Sequence, residues 1–448
     1  GVIVEVEPQR AYSSSRFAAH LLGYVREAND EQMKQGRYRR GELVGQTGLE
    51  RLLDDFLRGK DGGEQIEVDA MGRQVRLIEQ TEPNGGAHVV TTVDRRIQEA
   101  AESAMEGHPG AVVVMDPRNG DVLALVSTPA FAIDRFTGTI DPKAWRRVVK
   151  DPDTPLLNRT IQSQYAPGSI FKIVVAAAGL QERSITPGER IECEGHFQLG
   201  NRTFRDLKAH GSVNFMDAMR DSCNVYFYQA ALEVGAPVIA RYAQAFGFGK
   251  ATGIDIGGER LGLIPDPTRR TRRQPVWRQG DTVNMSIGQG AILVTPIQVA
   301  RFMAAVANGG VLWKPRLVQR IERPDRGVIW SDPGQVTGHV TLSPAVWALL
   351  RQSLWAVVND EGTGRGARIA GLDIAGKTGT AQTIANSRAD RGQDHAWFAS
   401  FAPVKNPEVV VIVLVERGGK GGLVAAPIAR TILNAIFFEK VASVDLAG

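Results

Sequence analysis

Cysteine is nearly absent from this chain: 448 residues hold two, Cys193 and Cys223. Two thiols cannot build the disulfide framework of a small secreted scaffold, so the fold must rest on hydrophobic cores; they leave the redox compartment open. The chain also lacks any apolar run of the ~18–20 residues that span a bilayer. Its densest run, "VVVIVLV" at 409–415, has the length of a buried strand. No basic-then-apolar leader opens the sequence. It begins on "GVIVEVEP", a strand-like alternation without a start methionine, which reads as the soluble fragment of a longer protein. Strong charge of one sign is missing too. The net charge is +4, and the arginines are scattered apart from "TRRTRR" at 268–273. With no aromatic-interleaved basic patch, nucleic acid is not an expected partner.

What is present describes a globular protein. Hydrophobic residues make up 43% and charged residues 23%, enough for real cores in two or three domains. Residues 1–85 suggest a helix, "GLERLLDDFL", between short strands, and "EPNGGAH" (82–88) reads as a linker. "VVTTVD" then predicts a strand ending at a helix cap, with "RRIQEAAESAM" as the helix. "GAVVVMDPRNGDVLALVS" (110–127) predicts a β-hairpin. Helical patterns dominate 168–245, 295–308 and 343–358. "GLDIAGKTGTAQ", "HAWFASFAP" and "EVVVIVLVE" read as three strands, and "AAPIARTILNAIFFEK" as a closing amphipathic helix. The polar stretch 382–394 reads as a mobile loop. The expected fold is α+β: a central antiparallel sheet that gathers strands from both ends of the sequence and is flanked by helices.

Chemistry concentrates at "YAPGSIFK" (165–172). Pro167 and Gly168 make a turn, and "SIFKIVVAAAGL" is a good helix with Ser169 in its first turn and Lys172 at i+3 on the same face. A serine hydroxyl becomes a nucleophile when a base takes its proton. A lysine is such a base if desolvation or a neighbouring cation lowers its pKa. Alone, the octet is also how an ordinary capped helix starts. Two further motifs decide between these readings. "SCN" supplies Ser222 and Asn224 from a turn between helices. "KTGT" supplies Lys377, Thr378, Gly379 and Thr380 on a predicted strand. Lys377 is expected to depress the pKa of Lys172 and to bind an anionic substrate group, and Gly379 to let a substrate backbone lie close. SxxK, an SDN-type triplet and KTG together are the signature of β-lactamases and penicillin-binding proteins.

The resemblance extends along the chain. "DTPLLNRTIQSQYAPGSIFK", "NMSIGQGAILVTPIQVA" and "AGKTGTAQ" resemble a class B penicillin-binding protein of the elongation type. "HLLGYV", "LVGQTGLERLLDDFLRGKDG" and "DAMGR" resemble the non-catalytic pedestal of that class. The resemblance implies a serine transpeptidase-like domain at 89–440, a smaller α+β pedestal at 1–88 and a tail at 441–448. It implies a D,D-transpeptidase that cross-links peptidoglycan stem peptides through an acyl-enzyme on Ser169 and is inactivated by β-lactams. Lys172 would be the base, Ser222 with Lys377 the proton relay and Asn224 an amide-binding group. Thr378, Gly379 and Thr380 would hold substrate, and the N–H groups of Ser169 and Thr380 the oxyanion. No catalytic cofactor is implied. The implied partners are a SEDS-type glycosyltransferase and an elongation scaffold. The implied place is the periplasm, held to the inner membrane by an anchor absent from this chain. A β-lactamase-like hydrolase and a penicillin-binding sensor are the alternatives; no Glu-x-x-Leu-Asn loop occurs between Asn224 and Lys377 to supply a deacylating base.

A second constellation lies beside the first. Cys193, Asp206, His210 and Cys223 make a tetrahedral set for a structural zinc, which would pin the loop to the back of SCN. Some elongation-type members resemble this with Asp in place of Cys193. A Cys193–Cys223 disulfide and two unlinked thiols are the competing readings. His196 is a poorer ligand, and the other histidines show no ligand spacing.

Overall fold

The computed structural model describes residues 10–34, 36–137, 141–269, 276–382 and 394–439. The opening "GVIVEVEP", nearly all of the polar stretch 382–394 and the tail 441–448 lie outside the described residues. Helix α1 (Arg95–Ala104) begins at Asp94, whose carboxylate accepts the Ile97 N–H and satisfies one of the helix's free donors. Strands β1 (Gly110–Met115) and β2 (Val122–Thr128) form the expected hairpin. Helices α2 (Lys172–Gln181), α3 (Asn224–Val234), α4 (Pro296–Asn308) and α5 (Pro344–Asn359) follow, then strands β3 (Ala375–Ala381), β4 (His395–Ala402) and β5 (Val409–Val415), and helix α6 (Ala425–Phe437).

The sheet order is β3-β4-β5-β1-β2, antiparallel throughout, so the early hairpin pairs with the last strand. Strand β5 explains why its sequence is apolar without alternation. Val410, Ile412 and Leu414 enter one core with α2, α4 and α5, while Val409, Val411, Val413 and Val415 enter a second with α1 and α6. Both faces are covered, so both parities of the strand must be apolar. The register leaves β3, the KTGT strand, at the edge of the sheet, beside the turn that precedes α2.

Two expectations need correction. Residues 182–214 are not helical. Ile191–Cys193 pairs with Gly211–Val213, and His196–Leu199 pairs with Arg202–Arg205 around a Gly200-Asn201 turn. A Gly-Asn pair between short alternating runs is a hairpin signal, and here it outweighs the helical patterns on either side. In the N-terminal region, "GLERLLDDFL" is two short helices, Gly48–Leu52 and Asp54–Leu57, broken at Leu53. That region also holds the ribbon Gly63–Val68/Gln74–Thr81, whose strands are exposed throughout. It docks on the larger domain where the Ala18 N–H donates to Glu102 of α1 (2.7 Å) and buried His20 donates to the Pro155 carbonyl (2.7 Å). Among the described residues no helix is long and apolar enough to cross a membrane.

Candidate active site

Ser169 sits in a single 3-10 turn, Gly168–Phe171, that runs straight into α2. Every residue from Lys172 to Leu180 is buried. A helix apolar on all sides belongs inside a core, and this one carries Lys172 in with it. The turn before Ser169 is braced from several directions. Tyr165 exchanges backbone hydrogen bonds with Val294 (2.9 Å each), and the Gly168 N–H donates to the Gly288 carbonyl (3.1 Å). Trp397 Nε1 donates to the Ala166 carbonyl (3.1 Å). The Tyr165 hydroxyl donates to Glu416 Oε1 (2.6 Å), which also accepts from Arg159 Nε (3.1 Å). Sequence reasoning assigned none of these braces. Two of them, Gly288 and Val294, lie in the "NMSIGQGAILVTP" stretch, which carries family resemblance but no visible chemistry.

Ser222 lies in the turn between helix Phe215–Arg220 and α3. Its φ of 59° is left-handed, a conformation that costs a non-glycine residue about 1–2 kcal/mol and needs support from its surroundings. Two lysines give that support. Lys172 Nζ donates to the Ser222 carbonyl (2.7 Å), to Ser222 Oγ (3.2 Å) and to Asn224 Oδ1 (2.7 Å). Lys377 Nζ, from β3, donates to the same Ser222 Oγ (2.9 Å). With both lone pairs of that oxygen engaged, the Ser222 hydroxyl proton is free to be donated. The Asn224 amide nitrogen likewise keeps its donors while its oxygen holds Lys172. Ser169 is half-buried, and among the described residues its hydroxyl makes no hydrogen bond, to Lys172 or to any other group.

Both lysines are fully buried. Burial lowers Lys172 from the usual ammonium range to about 8. Lys377 is driven well below its usual value, first by burial and then by the charge of Lys172. Asp206 lies near Lys172 and favours its charged form, while the repulsion between the two buried ammonium groups disfavours having both charged at once.

A cleft of about 540 Å³ opens over this cluster, lined by Ser169, Ser222, Asn224, Thr378 and Thr380. Two larger hollows, about 690 and 830 Å³, lie against the N-terminal region and contain none of the motif residues. Gly379 also has a reason within the chain itself. A Cβ there would stand 2.9 Å from the Pro167 carbonyl and 3.0 Å from the Trp397 side chain. The glycine admits the chain's own nucleophile turn against β3.

Behind the SCN turn, Cys193, Asp206, His210 and Cys223 offer ligand atoms that all lie within 4.8 Å of one another. Cys193 Sγ is 3.6 Å from Asp206 Oδ2 and 3.5 Å from His210 Nδ1, and His210 Nδ1 is 3.6 Å from Asp206 Oδ2. Edges of about 3.3–3.8 Å are what a tetrahedron of ~2.0–2.3 Å metal bonds requires. Burial lowers the pKa of His210, which keeps the ring neutral, as a ligand must be. The three edges among Cys193, Asp206 and His210 fall in that tetrahedral range, and with Cys223 the set has the donor types that zinc takes. The two cysteines are not linked to each other. Asp206 Oδ2 also accepts the N–H groups of Asn224 (2.6 Å) and Val225 (3.0 Å), and Cys223 Sγ accepts from the Tyr226 N–H (3.4 Å). The cluster thus caps α3 and fixes the backbone that presents Ser222 and Asn224.

The penicillin binding protein transpeptidase domain model matches residues 110–434, and the penicillin-binding protein dimerisation domain model matches residues 1–91. The chain belongs to the penicillin-binding protein transpeptidase family. Among curated relatives it is 33% identical to the peptidoglycan D,D-transpeptidase MrdA of Haemophilus influenzae, over 99% of this chain and 72% of that one. Among solved structures it is similar to penicillin-binding protein 2 in its complex with MreC from Helicobacter pylori, with 31% identity and a TM-score of 0.83 over 96% of this chain and 79% of that one. A chain of a peptidoglycan synthase complex that coordinates polymerization and crosslinking matches with 34% identity and a TM-score of 0.84, over 97% and 77%. The elongation-type, class B resemblance read from the motifs is borne out.

Proposed function

We propose that this chain is a peptidoglycan D,D-transpeptidase whose nucleophile is Ser169. The observation that carries the reading is the Ser222 hydroxyl held between two buried lysines at the mouth of the cleft that Ser169 lines. Lys172, in its neutral form, takes the Ser169 proton as Oγ attacks the carbonyl of a D-Ala-D-Ala bond. The N–H groups of Ser169 and Thr380 receive the oxyanion, each such donor being worth about 3–4 kcal/mol in serine enzymes. Ser222 gives its free proton to the leaving amine and recovers one from Lys172, with Lys377 fixing its orientation. The Asn224 amide donates to the substrate amide. Thr378 and Thr380, two residues apart on the edge strand, hold the terminal carboxylate with Lys377 behind them. An acceptor amine then attacks the acyl-enzyme and completes the cross-link.

The alternative, a β-lactam hydrolase, needs a base for water on the acyl-enzyme. Among the described residues, the carboxylates on the cleft are Asp221, Glu361 and Asp394. Arg220 engages Asp221 and Arg365 engages Glu361, and none of the three hydrogen-bonds Ser169 or Lys172. Benzylpenicillin is therefore expected to give an adduct that outlasts many hours of dialysis. Continuous turnover of the antibiotic, followed by loss of its β-lactam absorbance, would favour the hydrolase.

The Cys193, Asp206, His210 and Cys223 set is read as a structural zinc centre: four protein ligands leave no open position, so the metal would supply rigidity and no chemistry. Protein prepared without chelator should hold about one zinc per chain, and His210→Ala should lose it together with several degrees of thermal stability. Absence of metal with two titratable thiols would end that reading.

Residues 1–88 are assigned as the pedestal, 89–440 as the catalytic domain and 441–448 as a tail. The similarity to the MreC-bound protein and to the synthase complex supports an elongation scaffold and a SEDS-type glycosyltransferase as partners. It also supports a periplasmic location with anchorage to the inner membrane.

A further inference from the structure

Thr363 belongs to none of the three motifs. It lies between buried Gly362 and Gly364, in the turn that follows α5, and lines the cleft beside Thr378. Its hydroxyl oxygen is 2.8 Å from that of Thr378. Its N–H donates to the carbonyl of Arg220 (3.2 Å), two residues before Ser222. One residue therefore links the SCN turn to the KTGT strand across the floor of the cleft. Its position is rigidly set. A Cβ on Gly422 would stand 2.2 Å from the Thr363 carbonyl, so the backbone of 420–423 is packed directly against it. On the other side, Arg220 pairs with Asp360 (3.6 Å).

A hydroxyl has one proton, and this fixes what the pair can do. Among the described residues, Thr363 is the one hydrogen-bond partner of the Thr378 hydroxyl. If Thr378 donates to Thr363, the Thr363 proton is left with the Arg220 carbonyl at 3.5 Å, the outer limit of a hydrogen bond. If Thr363 donates to Thr378, the 2.8 Å bond is kept and the Thr378 proton points into the cleft. An anion in the cleft selects the second arrangement, and a chain of hydroxyls donating in one direction strengthens each bond in it.

We propose that Thr363 is a positioning residue for carboxylate recognition: by donating to Thr378 it commits the Thr378 proton to the terminal carboxylate of the substrate. This rests on the reading of Thr378 as a carboxylate-binding residue. The test compares acylation by benzylpenicillin with acylation by its methyl ester, which lacks the anion. Thr363→Val should lower the second-order acylation constant for benzylpenicillin about three- to tenfold, the effect of losing the neutral hydrogen bond that orients the Thr378 hydroxyl, and that for the ester less than about twofold. The loss should fall on pre-covalent binding and not on the rate at which the bound complex acylates. Thr363→Ser, which keeps the hydroxyl, should restore the constant to within about twofold of the parent. Thr363→Ala is read in the same way, per folded molecule, should the valine variant fold poorly. Equal losses on both compounds, or no loss on either, would overturn the proposal. Thr378→Val separates it from its premise. A selective loss there with none at Thr363→Val sinks the inference alone, whereas an unselective loss at Thr378→Val sinks both.

Discussion

Ser169→Ala is expected to abolish covalent labelling by a fluorescent penicillin, a loss on the order of 10⁴-fold or more in acylation, while leaving the protein folded. The two halves of this expectation have separate causes. The serine oxygen is the atom that would become the ester, so nothing replaces it in the chemistry. Yet that oxygen makes no hydrogen bond among the described residues, and the turn that carries it is braced through Tyr165, Ala166 and Gly168 instead. Truncating it removes no structural contact, so the change in stability should stay within about 0.5 kcal/mol, as for substitutions away from packed or bonded features. A thermal melt and a gel of the labelled protein read both outcomes. Labelling that persists in the alanine variant would place the nucleophile elsewhere.

Lys172→Met is expected to lower acylation about 10²–10⁴-fold, the range of a positioned general base. Methionine approximates the length and volume of the lysine stem in a site that is fully buried, so packing is largely preserved. Lost are the base and the donors to the Ser222 carbonyl and Asn224 Oδ1. The parent enzyme should also show the base in its pH profile. The active form of Lys172 is the neutral amine, and burial places its pKa at about 8. Acylation should therefore rise with pH, about tenfold per unit below that value, and level off above it. In Lys172→Met this limb should disappear. A profile that is flat in the parent, or unchanged in the variant, would remove Lys172 from the base role.

The sequence made local chemistry legible and left the distant contacts dark. Ser169 with Lys172, Ser222 with Asn224, and Lys377 with Thr378 and Thr380 each sit within a few residues of one another, so a motif can carry them. The sheet could be anticipated too, because the doubly apolar run of 409–415 requires cover on both faces. The metal-type cluster was visible as four ligand residues, but the second contact of Asp206, to the Asn224 and Val225 N–H groups, depends on how the loop folds back. The ribbons of 191–213 were misread because short strands leave little periodicity, and the Gly200-Asn201 turn was the better clue. The packing of Gly379 against Pro167 and Trp397 stayed hidden because a motif does not reveal which backbone approaches it. The carboxylate that favours the charged form of Lys172, Asp206, is brought close only by the fold. Thr363 stayed invisible because its two partners, Arg220 and Thr378, belong to different elements and its own neighbours are glycines.

The most direct test is the intact mass of the protein after treatment with benzylpenicillin, followed by peptide mapping of the modified residue. One penicilloyl group per chain on Ser169, stable for hours, is the predicted result. An adduct on any other residue, or an unmodified protein in a solution from which the antibiotic has vanished, would contradict it.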